Sequence, residues 1–281
     1  EFSFTGSAVT NLAPGEYVLV VRNLAAFTSR YGAALKVAGQ YIGSLDNSGE
    51  SLRLDDAVGE KVLDFSYNNS WYRITDGAGA SLVIVNENAP WYTWSQKASW
   101  RPSKLEGGSP AGPDATPQSI APVLVNEVLT HTDAPEVDTI ELFNPGPNAV
   151  NLSGWFISDD LTQPKKFRIP TGTTLGSSNY LLFTERDFNP APGASTSFAF
   201  SATGDEVYLF SGDGTNITGY MHGFEFGAAA NGVTFGRYLD SQNREHFVAQ
   251  SVNTLGTNNA YPLVGPVVIS EIMYHPLDLG L

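Results

Sequence analysis

Hydrophobic and polar positions along this chain alternate or gather in short blocks, and neither pattern persists long enough for an extended helix. Glu50-Ser51-Leu52-Arg53-Leu54 alternates, with Leu52 and Leu54 on one face. Asp55-Asp56-Ala57-Val58-Gly59 then supplies a hairpin turn into Val62-Leu63-Asp64-Phe65. Residues 2 to 5 and Ser81 to Val85 read as strands, and Glu16 to Val21 as a buried strand entered through the turn Leu12-Ala13-Pro14-Gly15. One window has helical spacing. Phe27 and Tyr31 stand four apart just before Gly32, which predicts a single short helix near 24–32.

The second half continues in strands: Val123 to Leu129, Thr139 to Phe143, the turn Asn144-Pro145-Gly146, then Asn151 to Ile157, Lys166 to Ile169, Tyr180 to Phe183 and Thr203 to Leu209. Its opening returns near the C-terminus. Pro122, Val123, Glu127, Val128 and His131 match Pro266, Val267, Glu271, Ile272 and His275 at a constant offset of about 144 residues, the size of one domain. Tyr17 to Val20 matches Tyr180 to Phe183, Ser48 to Leu54 matches Thr203 to Leu209, and Gly112 aligns with Gly256. These matches predict tandem units: residues 1–105 as a sandwich lacking its first strands, a Pro/Gly linker over 106–121, a complete sandwich over 122–262, and the first strand of a third repeat in 266–281. A sandwich without its first strands exposes an edge and part of its core. The parent chain or another copy is expected to supply them, the second route using Val267, Val268, Ile269 and Ile272 as an inter-chain strand.

Composition agrees with all-β. Gly, Pro, Asn, Ser and Thr are abundant, only 16% of residues are charged, and 42% hydrophobic content suffices for packed cores. A formal charge of −14 repels phosphate backbones and anionic lipid, which argues against nucleic acid and membrane surfaces as partners. Cysteine is absent, so disulfides, thiolate nucleophiles and Cys-based zinc sites are excluded. No apolar run has the length to span a bilayer, and the chain starts at Glu1 without an initiator Met, as a mature or excised piece of something longer does.

Candidate chemistry is sparse. His131, His222, His246 and His275 include no close pair, and two of them share one repeat position, which points to structural roles. No nucleophile elbow, HExxH, P-loop or dinucleotide fingerprint occurs, so an enzyme is disfavoured. Asp46, Glu50, Asp55 and Asp56 beside turns are candidate oxygen ligands for calcium, as are Asp205, Glu206 and Asp213, although the same residues make good hairpin turns and match no calcium-loop spacing. Trp91, Tyr92 and Trp94 lie in a loop insertion and are candidates to stack on sugar rings.

Glu141-Leu142-Phe143-Asn144-Pro145-Gly146, followed by Asn151-Leu152-Ser153-Gly154-Trp155, resembles the lamin tail domain, and Ile269 to Pro276 resembles the bacterial form of its first strand. The first unit is similar to the later half of the same family at Phe27 to Tyr31, Gly43 to Asn47, Asp76-Gly77 and Gly107 to Pro110. The second unit departs from it in carrying Asn231 to Arg237 where the first has Trp71 to Gly79. The resemblance implies tandem immunoglobulin-like β-sandwiches, of the kind that bacterial members repeat in large secreted or surface proteins, sometimes beside hydrolase domains. The expected function is a non-enzymatic structural or adhesive segment of an extracellular protein: a stalk, surface coat or filament, with other copies or other domains of the same parent as partners and no resident cofactor. The alternative is a carbohydrate-binding accessory segment of a secreted polysaccharide-degrading enzyme, with polysaccharide as partner.

Overall fold

Strands dominate the computed structural model, which describes residues 1–115, 119–265 and 269–274. Contacts divide the chain into two units, one of Glu1–Ala121, Leu152–Thr173 and Leu209–Met221, the other of Pro122–Asn151, Thr174–Tyr208 and His222–Leu281.

The N-terminal stretch contributes β1 (Leu19–Val21), α1 (Leu24–Tyr31), β2 (Val37–Gln40), β3 (Ser51–Asp55), β4 (Lys61–Ser66), β5 (Leu82–Ile84) and β6 (Trp100–Pro102). The expected hairpin forms: β3 and β4 pair antiparallel with Leu52 opposite Phe65 and Leu54 opposite Leu63. The expected helix forms as well. The Asn23 side chain caps it by accepting from the Ala26 N–H at 2.9 Å, Phe27 and Tyr31 pack with ring centroids 4.8 Å apart, and Gly32 ends it at φ 84°.

Two strand expectations fail here. Residues 2 to 5 form no strand and lead into a turn in which Ser7 N–H donates to the Phe4 carbonyl, and Phe2 packs edge-on against Phe4. The apolar block Glu16 to Val21 pairs only over its last three residues, in parallel with β2. Glu16 is drawn out of it by an ion pair to Lys36 at 2.8 Å, and Tyr17 stays exposed.

The remaining strands are β7 (Leu124–Leu129), β8 (Thr139–Phe143), β9 (Val150–Asn151), β10 (Phe156–Ser158), β11 (Phe167–Arg168), β12 (Thr174–Leu175), β13 (Tyr180–Thr184), β14 (Gly204–Gly212), β15 (Ile217–Gly227), β16 (Thr234–Leu239) and β17 (Glu245–Ala249). They form a five-stranded sheet in the order β13-β8-β7-β16-β17, a four-stranded sheet in the order β11-β10-β14-β15, and the pair β12-β9. Sequence reading expected one strand over 151–157. Gly154, at φ 80°, interrupts it, so β9 pairs with β12 while β10 pairs with β11. A second, one-turn helix, α2 (Glu185–Phe188), follows β13, its start fixed by Asp187, which accepts from both the N–H and the hydroxyl of Thr184.

Burial differs along the chain. Val125, Val128, Ile140, Leu142, Leu152 and Ile157 are fully enclosed, whereas Val21, Ala38 and Phe65 are only just buried and Ile42, Val58 and Val85 are exposed. With the extra strand β2 set aside, the order strand, helix, hairpin, hairpin nevertheless occurs twice, as β1, α1, β3–β4, β5–β6 and as β13, α2, β14–β15, β16–β17. A local hydrogen bond recurs with it: Ser103 N–H donates to the Ser81 carbonyl, and Gln250 N–H donates to that of Thr234, both at 2.8 Å.

Candidate functional site

Strands β7 and β8 carry a buried acidic pair. Asn126 is the extra residue of a bulge in β7, so Glu127 stands opposite Glu141 of β8. Both carboxylates are fully buried, and both hold the turn that follows β17. Glu127 accepts from the N–H of Thr254 at 2.9 Å and from its hydroxyl at 2.7 Å. Glu141 accepts from Gly256 N–H and, at 2.7 Å, from the Asn126 amide, which also donates to Asn259 at 2.6 Å. Burial raises the Glu141 carboxyl to about 7 against the opposing pull of the Gly256 and Asn126 bonds, and the neighbouring Glu127 adds to the rise. The pair thus ties the turn after β17 to β7 and β8. Sequence reading used Glu127 and Glu141 only as repeat and family landmarks; the recurrence of Glu127 as Glu271 was the available signal.

A second polar cluster ties β15 to the five-stranded sheet. His222 Nδ1 accepts from the Val125 N–H at 2.9 Å, and its Nε2 faces Glu245 at 3.3 Å, while Arg237 also pairs with Glu245. Although burial alone raises a carboxyl, the bonds from His222 and Arg237 prevail and hold Glu245 down at about 2. His131 contacts the Ala229 carbonyl at 2.8 Å, and His246 contacts Asp240; His275 lies outside the described residues.

The N-terminal stretch carries a cleft of about 600 Å³, floored by Leu52, Phe65, Leu82 and Trp100 and rimmed by Asp46 and Asp76. The loop aromatics divide around it. Trp94 packs edge-on against Phe65 at 5.6 Å and Trp100 at 6.2 Å, and it receives at its carbonyl the Trp100 indole N–H. Tyr92 is 70% exposed and Trp91 39%, with the Lys61 ammonium 5.6 Å from the Trp91 ring. The structure therefore sets Trp94 in the aromatic cluster and leaves Trp91 and Tyr92 on the surface.

Each acidic turn residue is engaged locally. Asp46 accepts from the Ser48 N–H at 2.8 Å and hydroxyl at 2.7 Å, which lowers its pKa, the hydroxyl bond most. Glu50 accepts from the Asp46 N–H, Asp55 pairs with Arg53 at 2.6 Å, and Asp56 accepts from the N–H groups of Val58 and Glu60. Among the described residues no group of three or more His, Asp or Glu converges to hold a metal ion. Asp114, in the stretch expected as linker, accepts from Arg101, the Lys104 N–H and the Ser109 hydroxyl. Val267 and Val268 lie outside the described residues, while Ile269 and Ile272 are 82% and 71% exposed.

Residues 116–223 match the Lamin Tail Domain family model. The match supports an immunoglobulin-like lamin tail domain that begins ahead of β7 and reaches into β15, a structural rather than a catalytic fold. No curated protein and no solved structure matches the chain. The carboxylates of the acidic pair both lie within the lamin tail segment, and the turn they grip lies beyond it.

Proposed function

We propose that this chain is a non-enzymatic structural segment of a large extracellular repeat protein, serving as stalk, surface coat or filament. One observation carries the reading: apart from the inserted β2, the series β1, α1, β3–β4, β5–β6 recurs as β13, α2, β14–β15, β16–β17 with the same strand-closing hydrogen bond, while the sequence of β7 returns from Pro266 onward. Repetition of a domain that grips its own last loop suits a load-bearing array. The charge of −14 keeps neighbouring units soluble and apart. Stretching the chain between its ends should give discrete, cooperative unfolding steps that recover on relaxation; smooth extension without a step would sink the load-bearing role. Antibodies against the chain should label intact source cells, and labelling only after permeabilisation would remove the extracellular assignment.

A second reading, a carbohydrate-binding accessory segment, is favoured by the adjacent exposed rings of Trp91 and Tyr92. It predicts retention on a polysaccharide that is lost in Trp91→Ala with Tyr92→Ala. Trp94 is the wrong partner for that test, because its removal opens the aromatic cluster around Phe65. Absence of binding across a broad glycan panel would end this reading.

A further inference from the structure

We propose that the cleft beside β5 is the seat of an added β-strand, supplied by residues 269–274 of a second copy of this chain, with Ile272 opposite Leu82. The inference rests on the repeat reading above and gives that repeat a receiving site.

The equivalence of the two halves fixes the position. In the five-stranded sheet β16 is flanked on one side by β17 and on the other by β7. β5, by contrast, pairs among the described residues with β6 alone. The matched hydrogen bonds, Ser103 to Ser81 and Gln250 to Thr234, align Ser81 with Thr234 and Ser103 with Gln250. Leu82 then occupies the position of Phe235, and Pro102 that of Ala249, which agrees with the registers Leu82 opposite Pro102 and Phe235 opposite Ala249.

On its other side Phe235 faces Val128 of β7, a residue with no exposure. The sequence equivalent of Val128 is Ile272, of Val125 Ile269 and of Glu127 Glu271. A strand bearing these residues, paired antiparallel on the open edge of β5, carries Ile272 to Leu82, in the floor of the cleft. In the chain itself Ile269 and Ile272 stand exposed outside any strand.

The closing turn corresponds as well. Thr257 N–H donates to the Thr254 carbonyl at 2.9 Å with Gly256 at φ 88°, and Gly112 N–H donates to the Ser109 carbonyl at 3.2 Å with Ala111 at φ 60°. Ala111, not Gly112, therefore holds the place of Gly256, a one-residue correction to the sequence alignment. Thr254 is gripped by Glu127, whereas the Ser109 hydroxyl turns to Asp114 at 3.1 Å. The added strand brings Glu271 to the place that Glu127 occupies over Thr254. A free sugar fills the same cleft without explaining either the open β5 edge or this turn, so the strand is the favoured occupant.

The chain has no cysteine, so introduced thiols report position without background. Directly opposed residues of antiparallel strands have Cα atoms about 4.5 to 5.5 Å apart, within disulfide reach. A Leu82→Cys chain mixed with an Ile272→Cys chain and oxidised should form a crossed dimer, above the level given by Val58→Cys, on the exposed hairpin tip, with the same partner. Sedimentation at physiological salt, where repulsion between acidic copies is screened, should show self-association of the parent chain, at least tenfold weaker in Ile269→Asp with Ile272→Asp. Both positions are exposed, so the fold of that variant is preserved. A parent chain that stays monomeric at its highest soluble concentration, association unchanged in the double variant, or crosslinking no better than the Val58 control would each overturn the proposal, as would a monomer whose cleft binds oligosaccharide. Discrete, reversible unfolding under load in a monomeric chain would leave the structural array standing and remove only the strand addition.

Discussion

Glu127 and Glu141 face each other across the β7–β8 register, both sealed from solvent, and each grips one end of the Thr254–Gly256 turn. Burial of Glu141 in this position makes stability depend on pH. The folded state holds the Glu141 proton up to about 7, whereas the unfolded chain releases it near the ordinary value of 4.5. More protons are bound by the folded state in that window, so stability falls as pH rises through it, by about 3 kcal/mol over the full range. Urea titrations from pH 4.5 to 8 should show this decline, and Glu141→Gln should flatten it. A parent chain with no slope between those limits contradicts the assignment.

Glu245 produces the opposite limb. Its carboxyl, held at about 2 by His222 and Arg237 despite burial, contributes stability above the ordinary glutamate value that is lost as pH falls through 4.5 towards 2. Together the two carboxylates place a stability maximum near the ordinary glutamate value of 4.5. Glu245→Gln should weaken the acid limb and leave the alkaline decline in place, which urea titrations extended below pH 4.5 towards 2 resolve.

Gly154 explains a motif that the sequence offered only as a family landmark. At φ 80°, a Cβ there meets the backbone of Gly214, its N at 2.6 Å and its Cα at 2.9 Å. Gly154→Ala should cost about 2 to 4 kcal/mol, while Gly232→Ala, with a positive φ but open space around it, should cost about 1 kcal/mol. Thermal unfolding of the two variants compares them directly; equal losses would show that the close approach to Gly214 is unimportant.

The uneven core gives a further contrast. Leu142 is fully enclosed, so Leu142→Ala should lose about 2 to 5 kcal/mol through lost burial and the cavity left behind. Ile42 is 83% exposed, and Ile42→Ala should change stability by less than about 0.5 kcal/mol. Denaturant midpoints read both.

Much of the architecture was legible in residue patterns. The alternation in Glu50 to Leu54 and the turn after it specify the β3–β4 hairpin, because a period of two with one buried face leaves a single favourable register. Phe27, Tyr31 and Gly32 specify α1 by spacing and stop, and the structure adds the Asn23 cap. Residues 16 to 18 misled, because an apolar block reads as strand whether or not a partner edge extends beside it.

The candidate sites were far less legible. Trp94 and Tyr92 look alike in the loop sequence, and only packing against Phe65 and Trp100 separates a core residue from a surface one. Glu127 and Thr254 are 127 positions apart, and nothing local to either announces the bond between them.

By itself, then, the sequence determined the all-β class, the short helix, the central hairpin and the return of the β7 pattern at Pro266, since each follows from neighbours within a few residues or from repetition of letters. Tertiary structure alone decided that two glutamates would be buried as a pair, that Gly154 would break a strand, and that Leu82 of β5 would line a cleft with Leu52, Phe65 and Trp100. These depend on which distant segments share a sheet, and the cost of burying a carboxylate or crowding a Cβ arises only once those segments meet.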